Sequence, residues 1–271
     1  MNDPRVTTHP VTRWSAAGRE TLDDAIAVER ALEIRVDGRP LAVTLRTPGD
    51  DEELALGFLA GEGVIRGEAD VAGLAAEPAS CADEADRIEV RLAPGVSLDW
   101  SKLERHFAAT AACGLCGRAH LESLRAGLAP LAVETRVSAA RLVELPARLA
   151  SVQRTFAATG GLHAAAWCAE PGLEPEALRE DVGRHNAVDK IAGWLIRARR
   201  YPASAGVLWV SGRAGAEIVL KAARARIPVL AAVGAPSSLA LELAQAAGLT
   251  LIGFLREGRM NVYCGEARIT A

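Results

Sequence analysis

From residue 162 onward, apolar runs of strand length alternate with amphipathic stretches of helical length, and that order restricts the fold more than any other feature. Leu162 to Cys168 reads as a strand, Asn186 to Arg200 as a helix with Val188, Ile191, Leu195 and Ala198 on one face, and Gly206 to Val210 as a buried strand. Glu217 to Arg226 then reads as a helix, Pro228 to Val233 as a strand, Ser238 to Ala247 as a helix capped by Gly248, and Leu249 to Leu255 as a final strand. Such a β-α-β-α-β-α-β order predicts a layered α/β domain around a largely parallel sheet. Just upstream, Pro146 sits where a helix would begin, and Leu145, Leu149, Val152 and Phe156 recur at helical spacing until Gly160-Gly161.

The N-terminal half has a different texture. Residues 1–18 read as a flexible arm and 19–108 as a small α+β domain. Within it, Glu33 to Val36 and Leu41 to Leu45 alternate with period two around Asp37-Gly38, a dipeptide suited to the primed turn of a hairpin. Asp51-Glu52-Glu53 opens a helix through Leu54, Leu56, Phe58 and Leu59 that Gly61 and Gly63 stop, and Arg87 to Leu92 alternates as a further strand. The acidic run from Asp50 to Glu53 reads mostly as a solvated helix start.

In an open α/β sheet, ligands bind beyond the carboxyl ends of the strands. Four successive loops are expected there: Glu180 to Asn186, Ser211 to Glu217, Gly234 to Ser238, and Arg256 to Arg259. Three of them place small residues or hydroxyls before a helix, where free N–H groups favour a phosphate. Arg184, Arg213, Arg256 and Arg259 would add charge for a pyrophosphate. No loop is a Walker A or a G-x-G-x-x-G, so the inference rests on their agreement. His185 opens a helix beside Asp181, Arg184, Asn186 and Lys190, where the positive helix end favours a neutral imidazole. Glu180 and Asp181 have an alternative role as caps of that helix. His163, on a strand face with Ala165 and Trp167, reads as a core residue.

Between the two regions, residues 109–120 carry Cys113-Gly114-Leu115-Cys116-Gly117, read as a mobile loop. Thiols at this spacing can form a disulfide, share a metal or hand sulfur from one to the other, and the glycines leave the sulfurs unshielded. The bland alternative is a connector with incidental cysteines. A structural zinc site is disfavoured because no second Cys-x-x-Cys exists and the five histidines are scattered, so no metal ligands are assigned.

A net charge of −3 gives no overall positive field for nucleic acid or an anionic membrane. Met1 to Trp14 is polar and interrupted by Pro4 and Pro10, unlike a signal peptide, and no apolar run approaches bilayer length. Five cysteines at irregular spacing fit a reducing cytoplasm.

Several stretches together resemble one family, the FdhD accessory sulfurtransferases of formate dehydrogenase. They are Arg46-Thr-Pro-Gly-Asp-Asp-Glu-Glu-Leu54, the Cys113 to Gly117 motif, Gly160-Gly-Leu-His-Ala-Ala165, and Glu180-Asp-Val-Gly-Arg-His-Asn-Ala-Val-Asp-Lys190. Ser211-Gly212-Arg213, Lys221-Ala222, Gly253 to Arg256 and Asn261 to Tyr263 complete the set, in one order over roughly residues 30–264. Ala214-Gly215-Ala216 and Gly234 depart from it, standing where such proteins usually carry serines.

The resemblance implies a sulfur carrier that takes persulfide sulfur from a cysteine desulfurase and passes it to the metal of a bis(guanylyl-molybdopterin) molybdenum cofactor, as formate dehydrogenase activity requires. Cys113 would carry the persulfide and Cys116 would assist. It also implies a C-terminal three-layer α/β/α, cytidine-deaminase-like domain over residues 121–271 and a homodimer. The cofactor, or a guanine nucleotide in the same site, would be bound by Phe254, Leu255, Arg256, Glu257, Gly258 and Arg259, with Ser211, Gly212, Arg213, Arg184 and His185 from neighbouring loops. One alternative is a non-catalytic chaperone of that cofactor. Another is a zinc-dependent deaminase, which the sequence disfavours because Ala164-Ala165 follows His163 and Ala112 precedes Cys113 where a His-x-Glu and a Pro-Cys would be needed.

Overall fold

The computed structural model describes residues 3–81, 84–98, 100, 128–131 and 134–271. The segment read as a flexible arm is instead half of a hairpin: β1 (Val6–Ser15) pairs antiparallel with β2 (Gly18–Ala27). Val6, Thr7, Thr8, Val11 and Thr12 supply β-branched residues, and a two-stranded ribbon leaves each strand an open edge that tolerates Pro10. The Asp37-Gly38 turn forms as its sequence predicts, with φ of 48° and 77°, between β3 (Arg30–Val36) and β4 (Arg39–Arg46). Helix α1 (Asp51–Gly61) follows, then β5 (Val71–Glu77) and β6 (Asp86–Leu92). These strands form a sheet in the order β4-β3-β6-β5, with Leu32, Ile34, Val36, Ile88 and Val90 buried together with Leu54 and Leu59 of α1.

One guanidinium ties this unit together. Arg46, 1% exposed, donates from Nε and Nη2 to Asp51 at 2.9 and 2.7 Å and from Nη2 to Asp86 at 2.6 Å, joining β4 to the starts of α1 and β6. Burial alone would push the Asp86 carboxyl up, but the N–H of Ala79 and the guanidinium groups of Arg46 and Arg30 outweigh it and hold the carboxyl below its usual range. The acidic run is therefore only partly solvated: Glu53 is buried and bonded to Arg179 at 2.6 and 2.8 Å.

A short β7 (Val137–Ser138) leads into α2 (Ala139–Ala150), and α3 (Arg154–Thr159) follows. Pro146 lies inside α2 and does not begin it. The buried stripe of Leu142, Leu145 and Leu149 starts a turn earlier than the proline, and its burial outweighs one lost backbone hydrogen bond. The break after Ala150 also takes Val152 and Phe156 out of that stripe, and both are exposed.

The remaining elements are β8 (His163–Ala169), β9 (Glu174–Asp181), α4 (Arg184–Arg197), β10 (Val207–Val210), α5 (Ala216–Arg224), β11 (Val229–Ala232), α6 (Ser238–Ala247), β12 (Thr250–Arg256), β13 (Arg259–Cys264) and β14 (Ile269–Thr270). Their six-stranded sheet has the order β13-β12-β11-β10-β8-β9. Only β10–β11 and β11–β12 are parallel; β8–β10, β8–β9 and β12–β13 are antiparallel. The sheet is thus mixed, not largely parallel, because two strands escape the sequence pattern. Both are edge strands: β9, with the charged sequence EPEALRED, has no fully apolar face, and β13 offers only the short alternation Met260, Val262 and Cys264.

Alternation along the strands serves two cores. Trp167, Leu208, Val210, Leu230 and Leu251 face α4, α5 and α6, while Ala166, Cys168, Trp209, Val229 and Ile252 face α2. The result is a mixed α/β protein whose larger sheet lies between two helical layers. Its four-stranded and six-stranded sheets are coupled by the crossing of α1 and α4, where a Cβ on Gly57 would lie 1.7 Å from the Asp189 carbonyl oxygen and one on Gly193 1.8 Å from that of Glu53.

Gly193→Ala should therefore cost about 3 kcal/mol, read as a drop in the urea midpoint, because two backbones would have to part; an unchanged midpoint would mean the crossing is not under steric control. The Asp86 contribution is fully present above the ordinary carboxylate value and is lost as pH falls through its lowered folded value. Asp86→Asn should thus lower stability at pH 7 and flatten the loss seen below about pH 4 in acid titrations followed by circular dichroism.

Candidate functional site

The strand missed from the sequence decides where the loops go. Because β9 runs back along β8, with Asp181 opposite His163, the loop from Glu180 to His185 leaves the sheet at the same end as those after β10, β11 and β12. Backbone bonds lace three of these loops together. Gly234 N–H donates to Gly212 O at 2.9 Å, Ser237 N–H to Ala214 O at 3.2 Å, and Phe254 N–H to Gly234 O at 3.1 Å. A Cβ at Gly234 would lie 2.9 Å from Gly212 O, so the smallest residue suits this crossing. Ser211 is committed to the same frame, its Oγ accepting from Ala164 N–H at 2.9 Å.

The segment from Phe254 to Arg259 is a hairpin and not a loop. Glu257 and Gly258 have φ of 54° and 71°, and Arg256 pairs with Arg259. Arg256, Glu257, Gly258 and Arg259 are exposed, Phe254 is half-buried beneath the Arg256 guanidinium at 5.9 Å, and Leu255 is buried in the core. Leu255 thus anchors the hairpin and offers no side chain to a ligand. Arg184 and Arg213 are exposed, and Gly212 is half-buried. Cys113 and Cys116 lie outside the described residues.

His185 is brought into contact with a residue that sequence reading did not pair with it. Its Nδ1 lies 2.7 Å from Oε2 of Glu217, in the first turn of α5. The hydrogen bond to His185 holds the Glu217 carboxyl below its usual range despite partial burial. His163 is not the core residue its strand position suggests. It is half-buried at the start of β8, its ring against Gly212, and burial followed by the charges of Arg184 and His185 lowers its pKa.

Beneath the loops lies a buried ionic network. Asp181 and Lys190, 0% and 1% exposed, meet at 2.7 Å, and Lys190 Nζ donates to Thr47 O at 3.0 Å. Asp181 also accepts from Thr47 N–H at 3.2 Å, Gly183 N–H at 2.9 Å and Asn186 Nδ2 at 3.0 Å. Asn186 Nδ2 reaches Leu45 O at 2.8 Å, fastening the start of α4 to the end of β4. Asp181 so holds the turn into α4. Glu180 caps a different helix, accepting from Thr155 and Phe156 N–H at 3.0 and 2.7 Å at the start of α3.

Among the described residues no cluster of three or more His, Cys, Asp or Glu could hold a metal ion. Burial pushes the Cys168 thiol up to about 12, and it also raises that of Cys264, whose Sγ donates to Leu249 O at 3.2 Å. Cys81 is exposed.

A sequence model of the FdhD/NarQ family matches residues 27–270. The chain is 50% identical to the sulfur carrier protein FdhD of Streptomyces avermitilis over 256 residues, covering 92% of this chain and 90% of that protein. It is 46% identical to the protein of the same name from Mycolicibacterium paratuberculosis, covering 96% and 97%. A crystal structure from Desulfotalea psychrophila, provisionally described as a formate dehydrogenase accessory protein, matches with a TM-score of 0.77 at 26% identity, covering 98% of this chain and all of that one.

Lys190→Met would leave Asp181 buried without a counterion and should destabilise by about 3–5 kcal/mol in urea unfolding. Adding Asp181→Asn should recover part of that loss; a double variant as unstable as the sum of the singles would show that the two groups do not act as a pair.

Proposed function

The chain belongs to the FdhD/NarQ family, and on that premise we propose that it is a sulfur carrier that takes sulfur from a cysteine desulfurase and delivers it to the metal of a bis(guanylyl-molybdopterin) cofactor destined for formate dehydrogenase. The observation that carries the reading is the contrast among the cysteines. Cys168 is buried and Cys264 half-buried, both with raised thiol pKa values, and Cys81 is exposed but alone, whereas Cys113 and Cys116 form a glycine-flanked Cys-x-x-Cys that is part of the family resemblance.

In the first step the Cys113 thiolate attacks the outer sulfur of the desulfurase persulfide. The desulfurase departs as its thiolate and Cys113 holds the persulfide. In the second, the outer sulfur passes to the metal of the cofactor, which is the substrate here. Either the reduced metal takes it directly, giving up the two electrons that convert the sulfane sulfur to sulfide while Cys113 is released as its thiolate, or Cys116 attacks Cys113 Sγ and the outer sulfur leaves as sulfide with the electron pair of the broken bond. The second route ends in a Cys113–Cys116 disulfide that a cellular thiol must reduce.

The four loops at the sheet end would receive the guanylyl arms, with backbone N–H groups at the starts of α4 and α5 and the arginines Arg184, Arg213, Arg256 and Arg259 meeting the phosphates. Residues 121–271 would form the cofactor-binding unit and residues 19–108 a docking module, in a homodimer working in the cytoplasm. No helix among the described residues is long and apolar enough to cross a membrane.

Intact-mass spectrometry after incubation with a cysteine desulfurase and cysteine tests the proposal. Wild type and Cys116→Ala should gain one sulfur atom that reductant removes, and Cys113→Ala should not. Wild type that gains none would favour a chaperone that only binds the cofactor.

A further inference from the structure

Helices α4 and α5 face one another through two charged rungs one helical turn apart, His185 and Asp189 on the first, Glu217 and Lys221 on the second. In the lower rung Lys221 Nζ lies 2.6 and 2.8 Å from the two carboxylate oxygens of Asp189, and both side chains are nearly buried. That pair fixes the spacing of the helices at the level of the upper rung. There His185 Nδ1 and Glu217 Oε2 stand 2.7 Å apart, with the imidazole about a third exposed at 32%. An ionised carboxylate can only accept, so Nδ1 carries the hydrogen and Nε2 is the ring's other polar atom.

A carboxylate between the first turns of α4 and α5 is out of place in a site for phosphates unless its charge is neutralised. We propose that Glu217 is a positioning residue for His185, holding the protonated ring so that Nε2–H donates to a phosphate oxygen of a bound guanine nucleotide arm. This rests on the reading that the loops at this sheet end take such an arm. The other charged groups around the ring are Arg184 and Asp189 on α4, Lys221 on α5, His163 on β8 and Asp181 on β9. With His185 protonated, the upper rung is neutral and supplies a charged donor. With His185 neutral, Glu217 loses its nearest opposite charge, Lys221 being shared with Asp189, and the upper rung carries a net negative charge.

The test is GDP binding to the full chain, by calorimetry between pH 5.5 and 8.5, combined with long-range nitrogen-proton NMR of His185. Wild type should lose more affinity between pH 5.5 and 8.5 than His185→Gln does, and the neutral ring should show the Nδ1–H tautomer. Glu217→Gln should weaken binding at pH 7 about tenfold and move the fall to lower pH. His185→Gln should leave only the pH dependence of the nucleotide phosphate and the groups around it, and Glu217→Gln should add nothing in that background. Additive losses, an unshifted pH profile in Glu217→Gln, or an Nε2–H tautomer in wild type would each overturn the positioning role while leaving the nucleotide site standing. Wild type without GDP affinity at any pH would overturn the nucleotide site itself and this role with it.

Discussion

Helices α1 and α4 meet backbone to backbone, and the site depends on that contact. Gly57 admits the Asp189 carbonyl and Gly193 admits that of Glu53, so each helix fills the gap left by a missing side chain on the other. The approach is bracketed by charge: Arg179 holds Glu53 and Arg197 holds Glu52. Helix α4 also packs on the larger sheet, so the smaller sheet, α1 and the larger sheet meet through one helix. The first turn of that same helix carries Arg184 and His185.

The Asp181–Lys190 pair completes the clamp in a way that net stability does not explain. A buried ion pair repays its desolvation only with good geometry and further hydrogen bonds, and an apolar pair of similar volume is often as stable. Apolar groups could not, however, accept from Thr47, Gly183 and Asn186 at once. What the pair contributes is direction: it fixes the turn between β9 and α4, hence the point from which Arg184 and His185 project. Preorganisation of this kind reduces the ordering a ligand would have to impose.

Much of this was legible from local signals. The Asp37-Gly38 turn and the span of α6 with its Gly248 cap, at φ 64°, follow from chemistry within a few residues. Strand β9 was not legible, since it carries five charged residues in eight and has no burial pattern to show. The convergence of four loops survived that omission because a missed antiparallel strand returns the chain to the end from which a parallel sheet would have sent it. Partners distant in sequence were illegible for a different reason: His185 and Glu217, or Thr47 and Asp181, are joined only by tertiary folding. The stretch from Arg46 to Leu54 and that from Glu180 to Lys190 were both marked by the family resemblance, but only the structure gives the reason they belong together.

The described cysteines lie at three depths: Cys168 is buried, Cys264 half-buried and Cys81 exposed. Cys168 lies in the larger sheet, in the layer that faces α2, where desolvation penalises a thiolate, and Cys264 gives its hydrogen to a carbonyl on the neighbouring chain segment. A chain that carries reactive sulfur benefits from keeping its other thiols protonated, because thiolates exchange with a persulfide and would divert the cargo. Burial thus acts as a chemical filter at Cys168 and Cys264, and exposed Cys81 lies outside its reach. In the same way the end of the sheet where the four loops gather carries exposed arginines, Arg184, Arg213, Arg256 and Arg259, above the buried Asp181–Lys190 network. Charge that sets geometry is kept inside and paired, and the remaining charge is left at the surface.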